Sequence, residues 1–142
     1  MKRVLGIDLG EARVGVAMSD ELGFMAHPLE TIEVRRVSPA ARIRELVESH
    51  QIATVIVGMP RNMDGSRGPA AEKAAKFAEE LRATLSCEVV TWDERLTTVS
   101  AQRSLREAGR KAHEQRDVID QAAAQLILQG WLDAQAGGLT MP

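Results

Sequence analysis

Leu5-Gly6-Ile7-Asp8-Leu9-Gly10-Glu11 (LGIDLGE, residues 5–11) decides how this chain of 142 residues is read. Together with Val4 it has the apolar pattern of a buried strand, yet a carboxylate sits in its middle. Side chains two apart on a strand share a face, so Gly6, Asp8 and Gly10 line up on a side that carries almost no bulk. An ionised carboxylate buried there needs a paired charge or a metal ion. Two readings stand open. Asp8 either caps a turn at the strand end, where Asp is common, or belongs to a site in which the bare glycine backbone lets a ligand approach closely.

Outward from this strand the pattern is regular. A polar turn at 10–13 leads to a second strand, in which Val14, Val16 and Met18 alternate with small residues. A third, weaker strand spans about 25–34, with Pro28 marking an edge or a bulge. These three read as an antiparallel meander. Ser38-Pro39 then opens a helix that runs to about His50. The apolar run ATVIVG (53–58) predicts a strand covered on both faces, and 59–68 is a loop with turn signals at Pro60 and Asp64-Gly65. A helix over 69–85 is followed by the strand EVVTW (88–92), which ends in Asp93-Glu94-Arg95. Thr97 or Thr98 caps a further helix to about Gly109, a basic loop follows, and a last helix starts at Asp117. The order βββαβαβαα predicts an α/β fold: a mixed five-stranded sheet flanked by helices, forming one domain over 1–136 with a frayed tail at 137–142.

Composition narrows the function. A net charge of −2 argues against a protein that simply coats nucleic acid. Arginine nevertheless supplies 14 of the 18 cations, and 95–116 holds six basic residues against two acidic ones. Guanidinium forks suit phosphate oxygens; a solvated helix face is the plainer reading. There is no tyrosine and there are only two Phe and two Trp, too few for a base-stacking platform. The single cysteine, Cys87, excludes an internal disulfide and a thiolate zinc cluster and fits a reducing cytoplasm. No signal peptide and no apolar run of about 18 residues is present, so no membrane partner is expected. His27, His50 and His113 are isolated and read as surface or capping residues, and Trp92 and Trp131 read as packing.

Carboxylates fall at three element ends: Asp8, the pair Asp93 and Glu94, and Asp120. Ligand sites in α/β sheets gather beyond the carboxyl ends of strands, and converging carboxylates repel unless a cation compensates them. An all-oxygen set favours Mg²⁺ or Mn²⁺ over zinc. Two such ions, roughly 3.5–4 Å apart, suit phosphodiester cleavage. Each acid also has an ordinary reading. Asp120 with Asp117 can serve a helix start, Asp93 can end a strand, and Glu94 can pair with Arg95. Spacing alone leaves the choice open.

Four ordered segments, GIDLGEARVGVAMSD, VIVGMPRNMDGSRGP, WDERLTTVSA and VIDQAAAQLILQGWLD, resemble the motifs of the YqgF/RuvX family over nearly the whole chain. Members are described as Holliday junction resolvases and as nucleases maturing the 5′ end of 16S rRNA, within the ribonuclease H-like superfamily. The resemblance implies a ribonuclease H-like sheet and a metal-binding catalytic set of Asp8, Glu94 and Asp120, with Asp93 as the alternative to Glu94. It also implies Mg²⁺ or Mn²⁺ as a two-ion cofactor. Arg13, Asn62, Arg95, Thr97 and Thr98 match motif positions that would hold the phosphate backbone, with Arg103 on the basic helix that follows. Related folds often end the fourth strand with an acid. Here Gly58-Met59-Pro60 carries none, so the acid from the fifth strand must substitute. The segment before Asp120, GRKAHEQRDVID, is less lysine-rich than the family pattern.

The expected function is therefore metal-dependent hydrolysis of structured RNA or of branched or single-stranded DNA, in the cytoplasm. Ribosomal precursor particles are a candidate partner. A junction-cutting role predicts a C2 dimer; otherwise the chain can act as a monomer. Nothing offers a Ser-His or Cys-His nucleophile. Two other readings compete: a non-catalytic RNA-binding factor in ribosome assembly, and an actin-like nucleotide-binding module, for which one lobe is too little.

Overall fold

The structure is a computed structural model that describes residues 3–60, 64, 66–96 and 112–138, the side chains of 112–120 and 137–138 excepted. The five strands are β1 (Arg3–Leu9), β2 (Arg13–Ser19), β3 (Ala26–Glu33), β4 (Ile52–Met59) and β5 (Glu88–Asp93). They form one sheet in the order β3-β2-β1-β4-β5. β1, β2 and β3 pair antiparallel, whereas β4 pairs parallel with β1, and β5 parallel with β4. Pro28 lies on the edge strand β3, opposite Ala17, where the register of the β2–β3 pair shifts. A proline lacks the N–H that an inner strand must donate, so an edge position suits it.

Helices cover both faces. α1 (Pro39–His50) and α2 (Pro69–Thr84) pack on one side, with Ile43 and Leu81 buried against Leu5, Ile7, Val55 and Val57. α1 starts as the sequence predicts: Ser38 Oγ accepts the Ala41 N–H at 3.4 Å and proline stands in the first turn. α3 (Ala112–Gly138) covers the other side, where Ala124, Ile127 and Leu128 bury Val4 and Ile56. It begins at Ala112 rather than Asp117, because Ala112, Glu114, Gln115 and Arg116 are good helix formers and no Gly or Pro interrupts 111–129. It also runs on to Gly138, two residues into the expected tail. The helix expected between Thr97 and Gly109 lies outside the described residues.

Three glutamines fix the direction of α3. Gln121 Nε2 donates to Thr31 Oγ1 (3.1 Å), Gln125 Nε2 to the Ala26 carbonyl (3.0 Å), and Gln129 Oε1 accepts the Ala26 N–H (2.9 Å). At four-residue spacing they share one helix face. Thr31 pairs with Gly15, and Gly15 with Asp8, whereas Ala26 pairs with Ser19 at the other end of β2. α3 therefore runs antiparallel to β1, with its N-terminal half toward the carboxyl end of β1. No helix among the described residues is long and apolar enough to cross a membrane.

Candidate functional site

The sheet register brings the acids together. One step beyond the Ile7↔Val57 pair, Asp8 stands beside Gly58, and Gly58 pairs with Trp92. Residues side by side in a sheet point to the same face, so Asp8, Gly58 and Trp92 form a row on the α3 side, near the carboxyl ends of three strands. Glu94 follows directly after β5 in a short 3₁₀ turn (Glu94–Leu96). Its Oε2 lies 3.0 Å from the point that a Cβ on Gly58 would occupy. Asp8 and Glu94 are thus neighbours across the bare backbone of Gly58, and both are buried, at 6% and 8% exposure.

Asp93 goes the other way. It pairs with Met59, which is buried among the α1 and α2 contacts, so its side chain belongs to the opposite face from Asp8. Its carboxylate is engaged by Arg95: the Arg95 backbone N–H donates to Oδ1 at 2.9 Å, and Nε and Nη2 donate to Oδ2 at 3.1 and 2.7 Å. This pair holds the Arg95 guanidinium above its ordinary pKa, chiefly through the hydrogen bond to Asp93. Asp93 holds the Arg95 guanidinium on its own side of β5, so adjacent residues serve opposite faces.

The glycines have other work than the bare-face reading gave them. A Cβ on Gly6 would stand 2.6 Å from Leu128 Cβ and 3.1 Å from the Ala124 carbonyl oxygen, so Gly6 admits helix α3. On Gly10 it would stand 2.5 Å from the Arg13 carbonyl, which accepts the Gly10 N–H at 3.0 Å; this glycine closes a turn. Gly58, read only as a strand end without an acid, is the one whose missing side chain makes room for a carboxylate.

Position 120 lies on the α3 stripe that continues through Ala124, Ile127 and Leu128, one turn from the helix contact with Gly6. The side chain of Asp120 lies outside the described residues, as do Asn62, Thr97, Thr98 and Arg103. Arg13 opens β2, two residues from Gly15, on the face of Asp8. Among the described residues no three His, Cys, Asp or Glu side chains form a metal-binding group. The pair Asp8 and Glu94 nevertheless fits a hard cation. It is buried and offers only oxygen; Mg²⁺ commonly takes one or two carboxylates and leaves the rest to water and phosphate.

Known proteins share the sequence and the fold of this chain. The model of the family described as "RuvX: Holliday junction resolvase" matches residues 2–134. A relative from Acetivibrio thermocellus, named "Putative pre-16S rRNA nuclease", is 50% identical over 136 residues, covering 94% of this chain and 96% of its own. One of the same name from Halalkalibacterium halodurans is 45% identical over 136 residues, covering 94% and 97%. Among solved structures, Thermus thermophilus RuvC in complex with a Holliday junction substrate superposes with a TM-score of 0.53 at 18% identity, over 96% of this chain and 97% of that one. At that identity the likeness concerns the fold, which is ribonuclease H-like.

Proposed function

The chain belongs to the RuvX family, and from that premise we propose that it is a divalent-metal-dependent nuclease of structured nucleic acid, trimming the 5′ end of pre-16S rRNA or cutting branched or single-stranded DNA. The observation that carries this reading is the juxtaposition of two buried carboxylates, Asp8 and Glu94, over Gly58 at the carboxyl ends of parallel strands. Asp8 and Glu94 would hold the ions, and Asp120 on α3 would complete the set. Bound divalent ions supply a water acidic enough to attack phosphorus and charge to stabilise the departing oxygen.

The protein's own part is positioning. Burial under α3 fixes Asp8 and Glu94, and the strand register sets their spacing. Arg95 keeps guanidinium donors beyond those given to Asp93, since the group carries five N–H bonds, and would meet a substrate phosphate beyond the end of β5, on the Asp93 side. Arg13 can do the same on the β2 side. The homologues' printed name favours ribosomal RNA as the first substrate to try.

The test is cleavage with Mg²⁺ or Mn²⁺ of an RNA precursor with a structured 5′ end, a four-way DNA junction and single-stranded DNA, by wild type and Asp8→Asn. Metal-dependent cutting lost in the variant is the expected result. Silence of both proteins on every substrate, with binding retained, would move the protein to the assembly-factor reading.

A further inference from the structure

The end of the β2–β3 hairpin nearest Asp8 carries three arginines, Arg13, Arg35 and Arg36. Val34 N–H donates to the Ala12 carbonyl at 3.0 Å, and a turn follows in which the Arg36 and Val37 N–H groups both donate to the Glu33 carbonyl, at 3.0 and 3.1 Å. This ties the end of β3 to the start of β2 and leaves a cleft of about 530 Å³ lined by Ala12, Arg13, Glu33, Arg35 and Arg36. One carboxylate there faces three guanidinium groups. Arg36 Nε donates to Glu33 at 2.9 Å, with both side chains largely in water (81% and 48% exposed). Arg35 is exposed and has no ion pair among the described residues.

The cleft also lies on the path to the carboxylates. Arg13 is one strand over from Asp8 and two residues further along, and shares its face. Strand spacing and rise put their backbones roughly 8 Å apart.

We propose that the Arg13–Arg35–Arg36 cleft is a phosphate track that holds the nucleic-acid backbone as it leaves the Asp8–Glu94 site toward the β3 edge. The inference rests on the nuclease reading for its direction, and adds Arg35 and Arg36 as binding residues. Guanidinium forks engage phosphate oxygens without reading sequence, so the track accepts RNA and DNA backbones by the same chemistry.

The test uses the full chain with Asp8→Asn as the background that does not cut. Affinity for a labelled single-stranded RNA, and for DNA of the same sequence, is measured across a potassium chloride series with and without Arg35→Gln and Arg36→Gln. Both residues are exposed, and equal thermal unfolding checks that the fold is kept. The expected result is weaker binding in the double variant, with the slope of log affinity against log salt shallower by about 1.4, two phosphates at roughly 0.7 each. A change confined to RNA or to DNA overturns a track that engages phosphate alone. An unchanged slope, or no measurable binding in the background protein, overturns it. Failure of the nuclease reading looks different: wild type fails to cut with any metal, whatever the salt slopes do.

Discussion

Glu94 Oε2 lies 3.0 Å from the point that a Cβ on Gly58 would occupy, and Ile127 Cδ1 lies 2.5 Å from the same point. Position 58 is therefore the floor on which the second carboxylate rests. A methyl there meets both groups. Gly58→Ala is expected to cost about 1–3 kcal/mol through overpacking and to lower metal-dependent cleavage. Because Ile127 Cδ1 is the end of a flexible side chain, adding Ile127→Val should restore most of the stability but not the cleavage, since Glu94 stays displaced. Denaturant unfolding and cleavage rates on the single and double variants check this. Full recovery of activity would show that Gly58 serves only the packing of α3.

Gly6 makes a harder contact. The nearest atoms to its missing Cβ are Leu128 Cβ and the Ala124 carbonyl oxygen, at 2.6 and 3.1 Å, and neither can swing aside. Gly6→Ala should push α3 off the sheet and destabilise by about 3 kcal/mol, the upper end of ordinary overpacking. The unfolding midpoint should fall further than for Gly58→Ala. A smaller fall would contradict the close approach of helix and strand.

The glutamine clamp makes a separate prediction. Gln129 accepts the Ala26 N–H and donates to the Phe24 carbonyl, both at 2.9 Å. Gln129→Ala removes both partners and should cost about 1–2 kcal/mol, with faster hydrogen exchange at Ala26. Unchanged exchange there would mean that the helix is not held by this pair.

Asp20 gives a pH dependence. Its Oδ1 accepts the Phe24 N–H at 2.9 Å, and this bond, first among its causes, holds the carboxyl below its ordinary 3.8. The folded chain thus favours the ionised form. Its stabilisation is present above the unfolded value and is lost as pH falls through the lower folded one. Asp20→Asn should be less stable than wild type at pH 7, and the gap should close as the pH falls below 3.8 and through the lower folded value. Thermal unfolding across that range is the check, and a gap that persists in acid would point to shape rather than charge.

Much of the fold is legible in the sequence because its signals are local: alternation in β2, the unbroken apolar run of β4, the Ser38-Pro39 helix start. Asp8 stands out for the same reason, as a charge in an apolar run. The roles of the glycines are not local. What Gly6 and Gly58 make room for depends on α3, more than sixty residues further along, and on a sheet register that only the folded chain defines. The choice between Asp93 and Glu94 likewise turns on which face β5 presents at Met59 and Gly58. The start of α3 is not legible, because a basic, polar stretch reads as loop when no apolar stripe marks it. A signal for the clamp did exist: Gln121, Gln125 and Gln129 recur every four residues in an otherwise apolar stretch, 121–132.

The most direct measurement of the central claim is Mn²⁺ binding, followed by calorimetry and by electron paramagnetic resonance, in wild type, Asp8→Asn, Glu94→Gln and Asp93→Asn. Asp8 and Glu94 share a face over Gly58, whereas Asp93 lies on the other and is held by Arg95. Asp8→Asn and Glu94→Gln are each expected to lose binding, by more than the 10- to 100-fold typical of a residue behind the ligands, while Asp93→Asn keeps it. Binding that survives Glu94→Gln and disappears with Asp93→Asn would contradict this assignment.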